Sequence, residues 1–246
     1  NTKIYIFMDF VISNNYIVFE VGTNLGMKHS VLYTGAYGSY VFNRAISEIG
    51  LGGRSFSTDG MSFITNPIIT PSIYETIGME VSTSIGPAVL KTLDVLIDFE
   101  NNTIEFGAAR LEDGCTIDLN FDMDYYPMVP NLEIVVNGRI LKVGFDTGVQ
   151  YPFVVSRLVD ELSLGESIGQ FDISYPGQGF IMPSFYKGKI QFGECVLDNV
   201  NIAASPRYDE TIALLPIDGF LGINCLIENK VKLWISYANR QMVIVK

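Results

Sequence analysis

The chain has 246 residues, enough for one large domain or for two of about 120 residues. With 48% hydrophobic and 17% charged residues, its composition is that of a globular protein. A net charge of −11 argues against nucleic acid or an anionic membrane as a partner. No apolar run reaches ~18 residues, so no membrane-spanning helix is predicted. The chain begins at Asn1, as it would after removal of a signal peptide, which leaves a secreted or periplasmic location open.

Short apolar and β-branched runs recur along the chain and are broken by Gly, Pro, Asn and Asp. This spacing is typical of an all-β barrel or sandwich. In chain order, the clearest predicted strands are Tyr16 to Val21, Leu132 to Val136, Ile190 to Phe192 and Met242 to Val245. The predicted helices are short and comprise Phe42 to Ile49, Ala88 to Leu93, Ser156 to Leu162 and Cys225 to Asn229.

Residues for histidine, thiol or metal chemistry are sparse. His29 is the sole histidine, and neither a Ser-His nor a Cys-His pair forms around it in the sequence. The three cysteines are far apart, so a disulfide framework is not expected, although one bridge plus a free thiol stays open. Asp122 and Asp124 are interpreted as part of a solvated linker rather than as metal ligands. We therefore expect no metal and no cofactor.

An internal repeat organises the chain. Its first part is an apolar strand, a Thr-Gly loop and a second apolar strand. Leu32-Tyr33-Thr34-Gly35 with Tyr40-Val41-Phe42 matches Phe145-Asp146-Thr147-Gly148 with Phe153-Val154-Val155, without a gap. In such a loop Gly lets the backbone turn, while Thr can hold it by hydrogen bonds.

The last part of the repeat is an apolar-Gly turn, a short helix and a hairpin. Ser84-Ile85-Gly86, followed by Ile97 to Asn101, matches Phe220-Leu221-Gly222, followed by Ile235 to Asn239. Residues 1–122 are therefore predicted to form an N-terminal lobe and residues 123–246 a C-terminal lobe.

Each lobe has a Gly-rich middle segment that could form a flap over a cleft. In the first lobe Asp59-Gly60 lies between alternating residues, which is a hairpin signal. In the second lobe Tyr175 and Gly179 flank a Pro-Gly-Gln turn. We interpret Asp59, Gly60, Tyr175 and Gly179 as candidate substrate-binding residues. An ordinary surface hairpin is the alternative.

These landmarks resemble the aspartic proteases of the pepsin and retropepsin families. Asp146-Thr147-Gly148 and Phe220-Leu221-Gly222 are similar to the Asp-Thr-Gly loop and the later apolar-Gly turn of that fold. Val231 to Val245 looks like the terminal hairpin of the family. The likeness covers nearly the whole chain, and its plain lobes resemble two fused retropepsin subunits. It implies a two-lobed β-barrel fold with a pseudo-twofold repeat and an interlobe cleft.

Carried over residue by residue, the resemblance makes Asp146 one catalytic carboxylate. Thr34 and Thr147 would hydrogen-bond across the lobe interface, and Gly35 and Gly148 would make the loop turns. The serious departure is Tyr33, which stands where the family requires the second Asp.

Peptide hydrolysis in that family needs two carboxylates that share one proton. A phenol titrates near ~10, so Tyr33 would be neutral at acidic or neutral pH and could not replace the second base. Asp9 or Asp59 could supply the missing group, or two chains could bring two Asp146 loops together. A wrong repeat alignment is a further alternative, as is a purely turn-capping role for Asp146.

Three functions remain open from the sequence. The favoured one is an impaired protease homologue, a pseudoenzyme that binds an extended peptide or protein segment in its cleft as a monomer. The others are a working aspartic endopeptidase with an unorthodox partner for Asp146, and a scaffold for assembly.

Overall fold

The computed structural model describes residues 6–36, 38–59, 63–65, 70–122, 126–175 and 179–246, and most of them lie in strands. The strands of the first half are β1 (Phe7–Ser13), β2 (Tyr16–Thr23), β3 (Gly26–Leu32), β4 (Ser39–Val41), β5 (Glu48–Leu51), β6 (Arg54–Ser57), β7 (Phe63–Thr65), β8 (Thr83–Ile85), β9 (Val95–Asp98) and β10 (Thr103–Phe106). Strands β11 (Cys115–Asp118) and β12 (Asn120–Asp122) lead into the second half. Those of the second half are β13 (Tyr126–Val136), β14 (Arg139–Phe145), β15 (Phe153–Val154), β16 (Gly169–Gln170), β17 (Ile173–Tyr175), β18 (Gly179–Ile181), β19 (Ser184–Phe192), β20 (Cys195–Ala204), β21 (Gly219–Leu221), β22 (Lys232–Ser236) and β23 (Gln241–Val245). The helices are α1 (Thr70–Ile77), α2 (Pro87–Leu90), α3 (Leu158–Glu161), α4 (Pro206–Ile212) and α5 (Asn224–Glu228).

The second half contains a closed barrel of six strands. Its order is β13-β14-β21-β15-β20-β19, and β19 pairs with β13 to close the ring. Leu132, Ile134 and Val136 are buried, whereas Glu133 between them is exposed. Such alternation places every second side chain inside a barrel. The barrel interior is therefore a packed apolar core.

A larger sheet joins the two halves. Strands β11-β23-β22-β9-β10-β1 run across it and continue into β2-β3-β8-β4-β7 of the first half. At its centre β22 pairs with β9, and Trp234 lies opposite Leu96. The sequence repeat aligns Ile97 with Ile235, so it also aligns Leu96 with Trp234. Equivalent residues face each other, as a twofold axis through this strand pair requires.

The same pairings recur within each half. Strand β3 runs parallel to β8 with Leu32 opposite Ile85, and β14 runs parallel to β21 with Phe145 opposite Leu221. In both halves the strand after the Thr-Gly loop pairs antiparallel with that same neighbour. The predicted all-β class and internal repeat are confirmed, and the architecture is consistent with an aspartic-protease-like fold. The division into domains at residue 122 stays a prediction.

The Gly-rich segment of the first half turns earlier than the Asp59-Gly60 signal indicated. Strands β5 and β6 form a hairpin around Gly52 and Gly53, which have φ values of +57° and +72°. Two successive positive φ values are typical of a type I′ turn. Asp59 follows β6 in a turn, and Gly60 lies outside the described residues. In the second half, β17 and β18 form the predicted hairpin.

Three of the four predicted helices are present: α2 and α3 are shorter than predicted, and α5 has the predicted length but begins one residue earlier. The helix predicted from Phe42 to Ile49 is wrong. Asn43 instead accepts a hydrogen bond from the Ala45 N–H in a local turn, and Ile49 pairs with Thr23 in the sheet. Helix α4 was missed although Ser205 caps its first turn. No helix in the described ranges is long and apolar enough to cross a membrane.

Candidate functional site

The two Thr-Gly loops occupy corresponding backbone positions at the ends of β3 and β14. The Tyr33 N–H donates to the Ile85 carbonyl at 2.9 Å, and the Asp146 N–H donates to the Leu221 carbonyl at 3.3 Å. Ile85 and Leu221 are themselves equivalent in the repeat. Tyr33 and Asp146 are therefore anchored in the same way in their respective halves.

The two threonines interlock the loops. The Thr34 N–H donates to Thr147 Oγ1 at 3.0 Å, and the Thr147 N–H donates to Thr34 Oγ1 at 2.9 Å. The Thr147 hydroxyl also donates to the Leu32 carbonyl at 2.9 Å. Both threonines are fully buried, so each bond satisfies a group that water cannot reach. This exchange fixes one loop against the other.

Both loops hold the Asp146 carboxylate. Its Oδ1 accepts the Gly148 N–H at 2.7 Å and the Gly35 N–H at 3.1 Å. A Cβ atom at Gly35 would lie only 2.1 Å from the Asp146 carboxyl carbon. Gly35 is therefore required for close approach of its backbone to the carboxylate. One donor comes from each half, so the site forms only when the loops meet.

Burial sets the protonation of Asp146. The residue is 7% exposed. Burial raises its pKa from 3.8 to about 7, and the N–H bonds from Gly148 and Gly35 act in the opposite direction. No carboxylate in the described part of the chain contributes to this shift, and Asp9 and Asp59 are both exposed. Asp146 can thus hold or release a proton near neutral pH.

The Tyr33 ring lies against Gly148. A Cβ atom at Gly148 would lie 2.2 Å from Tyr33 Cε2 and 2.7 Å from Cζ. This contact is the counterpart of the one between Asp146 and Gly35, with the halves exchanged. A half-buried phenol ring therefore occupies the first half of the site where the second half presents a carboxylate.

Tyr237 is a further member of the site that the sequence interpretation missed. Its hydroxyl donates to the Thr34 carbonyl at 3.0 Å. Burial, and then the nearby charge of Asp146, raise the pKa of Tyr237 well above 10. Tyr237 therefore stays neutral and braces the first loop. The sequence did contain a signal for this residue. The repeat aligns Tyr237 with Phe99, so the two halves differ at this position by a hydroxyl group.

An apolar pocket lies on the outer face of β14 and β21. It is shallow and open to solvent, with a cavity volume of about 20 Å³, which is room for about one water molecule. Its lining consists of Val129, Asn131, Gly144, Leu215, Pro216, Ile217 and Phe220. Asn131 is 4% exposed, and none of the described residues forms a hydrogen bond with its side-chain oxygen. All of these lining residues belong to the half that carries Asp146, and Gly144 is two residues before Asp146 in the sequence.

The predicted substrate-binding residues are separated in the structure. Asp59 is exposed after β6, and Gly60 lies outside the described residues. Tyr175 and Gly179 face each other across the β17–β18 hairpin. At the base of this hairpin, Ile173 packs in the same cluster as Val149, which follows the Asp-Thr-Gly loop. Their role in substrate binding stays a prediction.

No metal-binding arrangement of three or more His, Cys, Asp or Glu side chains occurs within the described ranges.

Comparison with known proteins gives little beyond the fold. No family model matches the chain, and no curated protein matches it. Among solved structures, it is similar to a retropepsin-like aspartic protease from Rickettsia conorii, with a TM-score of 0.36 and 14% sequence identity. That similarity covers 54% of this chain and 91% of the other. At this TM-score the similarity carries no weight for function.

Proposed function

We propose that this protein is an aspartic-protease homologue that binds an extended peptide in the cleft between its halves and hydrolyses it very poorly. One observation carries the proposal. Two interlocked Thr-Gly loops hold a buried carboxylate, Asp146, on one side, and a phenol ring, Tyr33, on the other.

The chemistry explains the impairment. Hydrolysis by a carboxylate pair needs one group to activate water and a protonated partner to polarise the carbonyl. Asp146 can take either part, but not both at once. The Tyr33 phenol can donate a hydrogen bond, but its ordinary pKa near ~10 makes it a poor base. Since each acid–base contribution is worth roughly 10²–10⁴ in rate, hydrolysis should be slowed by at least that factor.

The apolar pocket on the outer face of β14 and β21 supports peptide binding. Its lining suits an apolar group of a bound peptide, of which the cavity of about 20 Å³ admits only the tip. Strand-like main-chain hydrogen bonds would supply the rest of the affinity.

Restoring the second carboxylate tests the catalytic part. The wild type and Tyr33→Asp are incubated with an unfolded protein substrate from about pH 3 to pH 7, with and without a statine-type inhibitor. We expect Tyr33→Asp to cleave at least roughly 10²-fold faster than the wild type, because it regains a carboxylate pair. The gain should disappear in Tyr33→Asp/Asp146→Asn, and Tyr33→Phe should show none.

Inhibitable cleavage by the wild type that is lost in Asp146→Asn would overturn impairment and establish an active endopeptidase with an unorthodox partner for Asp146.

Binding is tested separately with a library of fluorescent peptides of about ten residues, measured by anisotropy. Ile217→Asp places a charge in the pocket and should weaken the best binder at least about 10-fold, because the charge loses its hydration. Ile140→Asp is the matched control, since Ile140 is 65% exposed on β14. Absence of any binder, or equal affinity of the two variants, would overturn the peptide-binding role in favour of a scaffold.

A further inference from the structure

Two cysteines that are 80 residues apart in sequence meet at the edge of the barrel. Cys115 begins β11, and Cys195 begins β20 directly after the β19–β20 turn. The Cys195 N–H donates to Cys115 Sγ at 3.0 Å. Gly193 in this turn also lies near the same sulfur, because a Cβ added at Gly193 would be in ordinary van der Waals contact with it at 3.8 Å. The Cys115 sulfur is therefore in direct contact with the Cys195 backbone.

The two thiols are also close to each other and accessible. Burial raises the pKa of the Cys195 thiol, and the Cys115 thiol raises it further, while the Lys246 ammonium acts in the opposite direction. The contact of 3.0 Å between Cys115 Sγ and the Cys195 backbone nitrogen brings Cys115 close to the Cys195 side chain. Both cysteines are half-buried rather than enclosed.

Cys225 provides the contrast within the same chain. It is 1% exposed, and its thiol donates to the Gly222 carbonyl at 3.3 Å. Burial raises the pKa of this thiol well above its ordinary value. Cys225 should therefore be inert in the folded protein.

We propose that Cys115 and Cys195 are a dithiol that glutathione disulfide oxidises to an intramolecular disulfide. One cysteine thiolate attacks a sulfur of glutathione disulfide, forms a mixed disulfide and releases one glutathione thiolate. The second cysteine thiolate then attacks the cysteine sulfur of that mixed disulfide and releases the second glutathione. Two protein thiols are oxidised, and one glutathione disulfide is reduced to two glutathione molecules.

The bridge would join two parts of the fold that only noncovalent contacts now connect. Strand β11 belongs to the sheet shared by both halves through its pairing with β23, whereas β20 is a barrel strand. Closing so long a loop restricts the unfolded chain, so oxidation should raise the melting temperature Tm by on the order of 10 °C. This inference is independent of peptide binding.

The test uses the full chain, purified reduced, and glutathione buffers of increasing oxidised fraction. Thiols are then counted with Ellman's reagent after denaturation. We expect the count to fall from three to one, and tryptic mapping to recover the Cys115 and Cys195 peptides as one linked species. Cys225 should react with an alkylating agent only after unfolding.

Variants locate the bridge. Cys225→Ser should fall from two thiols to none, whereas Cys195→Ser should form no internal bridge and show no rise in Tm on oxidation. Three free thiols throughout the wild-type titration, a linkage that includes Cys225, or a bridge between two chains would each overturn the proposal. The wild-type titration decides the matter even if a variant fails to fold.

Discussion

The two Thr-Gly loops have the same backbone anchoring and opposite chemistry. In the first loop Tyr33 presents a ring to Gly148, and in the second loop Asp146 presents a carboxylate to Gly35. The threonine exchange between the loops is nearly symmetric, with N–H to Oγ1 distances of 3.0 and 2.9 Å. The Thr and Gly residues therefore maintain the pairing of the loops, whereas the residue before them determines which chemical group each loop presents.

The strands that lead into the two loops also differ between the halves. Val31 of β3 packs in an apolar cluster, and Ser84 lies beside it on β8. In the second half, Gly144 and Phe220 occupy the corresponding positions and border the pocket. The larger residue of the pair is on the loop strand β3 in the first half, but on the neighbouring strand β21 in the second half. The Phe220 ring covers Gly144, because a Cβ added at Gly144 would lie 2.6 Å from Phe220 Cε1.

We expect the largest change in unfolding free energy from the ionisation of Asp146. Its folded pKa of about 7 lies above its ordinary 3.8, so the fold favours the protonated form. This stability is fully present below about pH 4 and is lost as pH rises to about 7, by on the order of 4 kcal/mol. Asp146→Asn keeps an oxygen for the two N–H groups but cannot ionise. Urea unfolding should show wild-type stability falling relative to this variant across that window.

Asp98 supplies the control of opposite sign. Hydrogen bonds from Asn101 and the ion pair with Lys232 at 3.1 Å outweigh burial and lower the pKa of Asp98. Its contribution is present above its ordinary pKa and is lost as pH falls, so Asp98→Asn should cost most at neutral pH. A pH-independent difference between the wild type and Asp146→Asn would contradict the buried-carboxylate account.

The next effect tests the interlock. Thr147→Val leaves the Thr34 N–H and the Leu32 carbonyl without their partner and should cost about 3 kcal/mol of unfolding free energy. Thr34→Val removes the acceptor of the Thr147 N–H and should cost about 1–2 kcal/mol. Thr147→Ser and Thr34→Ser keep the hydroxyl and serve as controls. An equal loss of unfolding free energy in the two valine variants would contradict the expectation that Thr147 contributes more than Thr34.

The last prediction tests the position of the Tyr33 ring. Gly148→Ala should cost about 2 kcal/mol, because the added methyl meets that ring. Tyr33→Ala should relieve most of this cost, but it should not relieve Gly35→Ala, whose methyl meets Asp146 instead. A double-mutant cycle measured by urea unfolding gives the coupling. A coupling near zero between positions 33 and 148 would show that the ring lies elsewhere in solution.

Much of the fold was predictable because it is written in local patterns that occur twice. The alignment of Tyr33 with Asp146 followed from an ungapped match, and the strand pairings bear out that repeat. A local sequence pattern gave a wrong prediction where a turn and a sheet pairing determine the backbone conformation. The stretch from Phe42 resembles a helix, yet Asn43 turns the chain and Ile49 joins the sheet.

The all-β class, the repeat and the residue before each Thr-Gly pair follow from the amino-acid sequence alone. Alternating apolar residues and a repeated motif are properties of short segments, so they can be read without coordinates. Four features became visible only in the folded chain: the burial that raises the pKa of Asp146, the hydrogen bond from Tyr237, the pocket at Asn131 and the contact between Cys115 and Cys195. These depend on contacts between segments some 80 to 203 residues apart, which packing alone brings together.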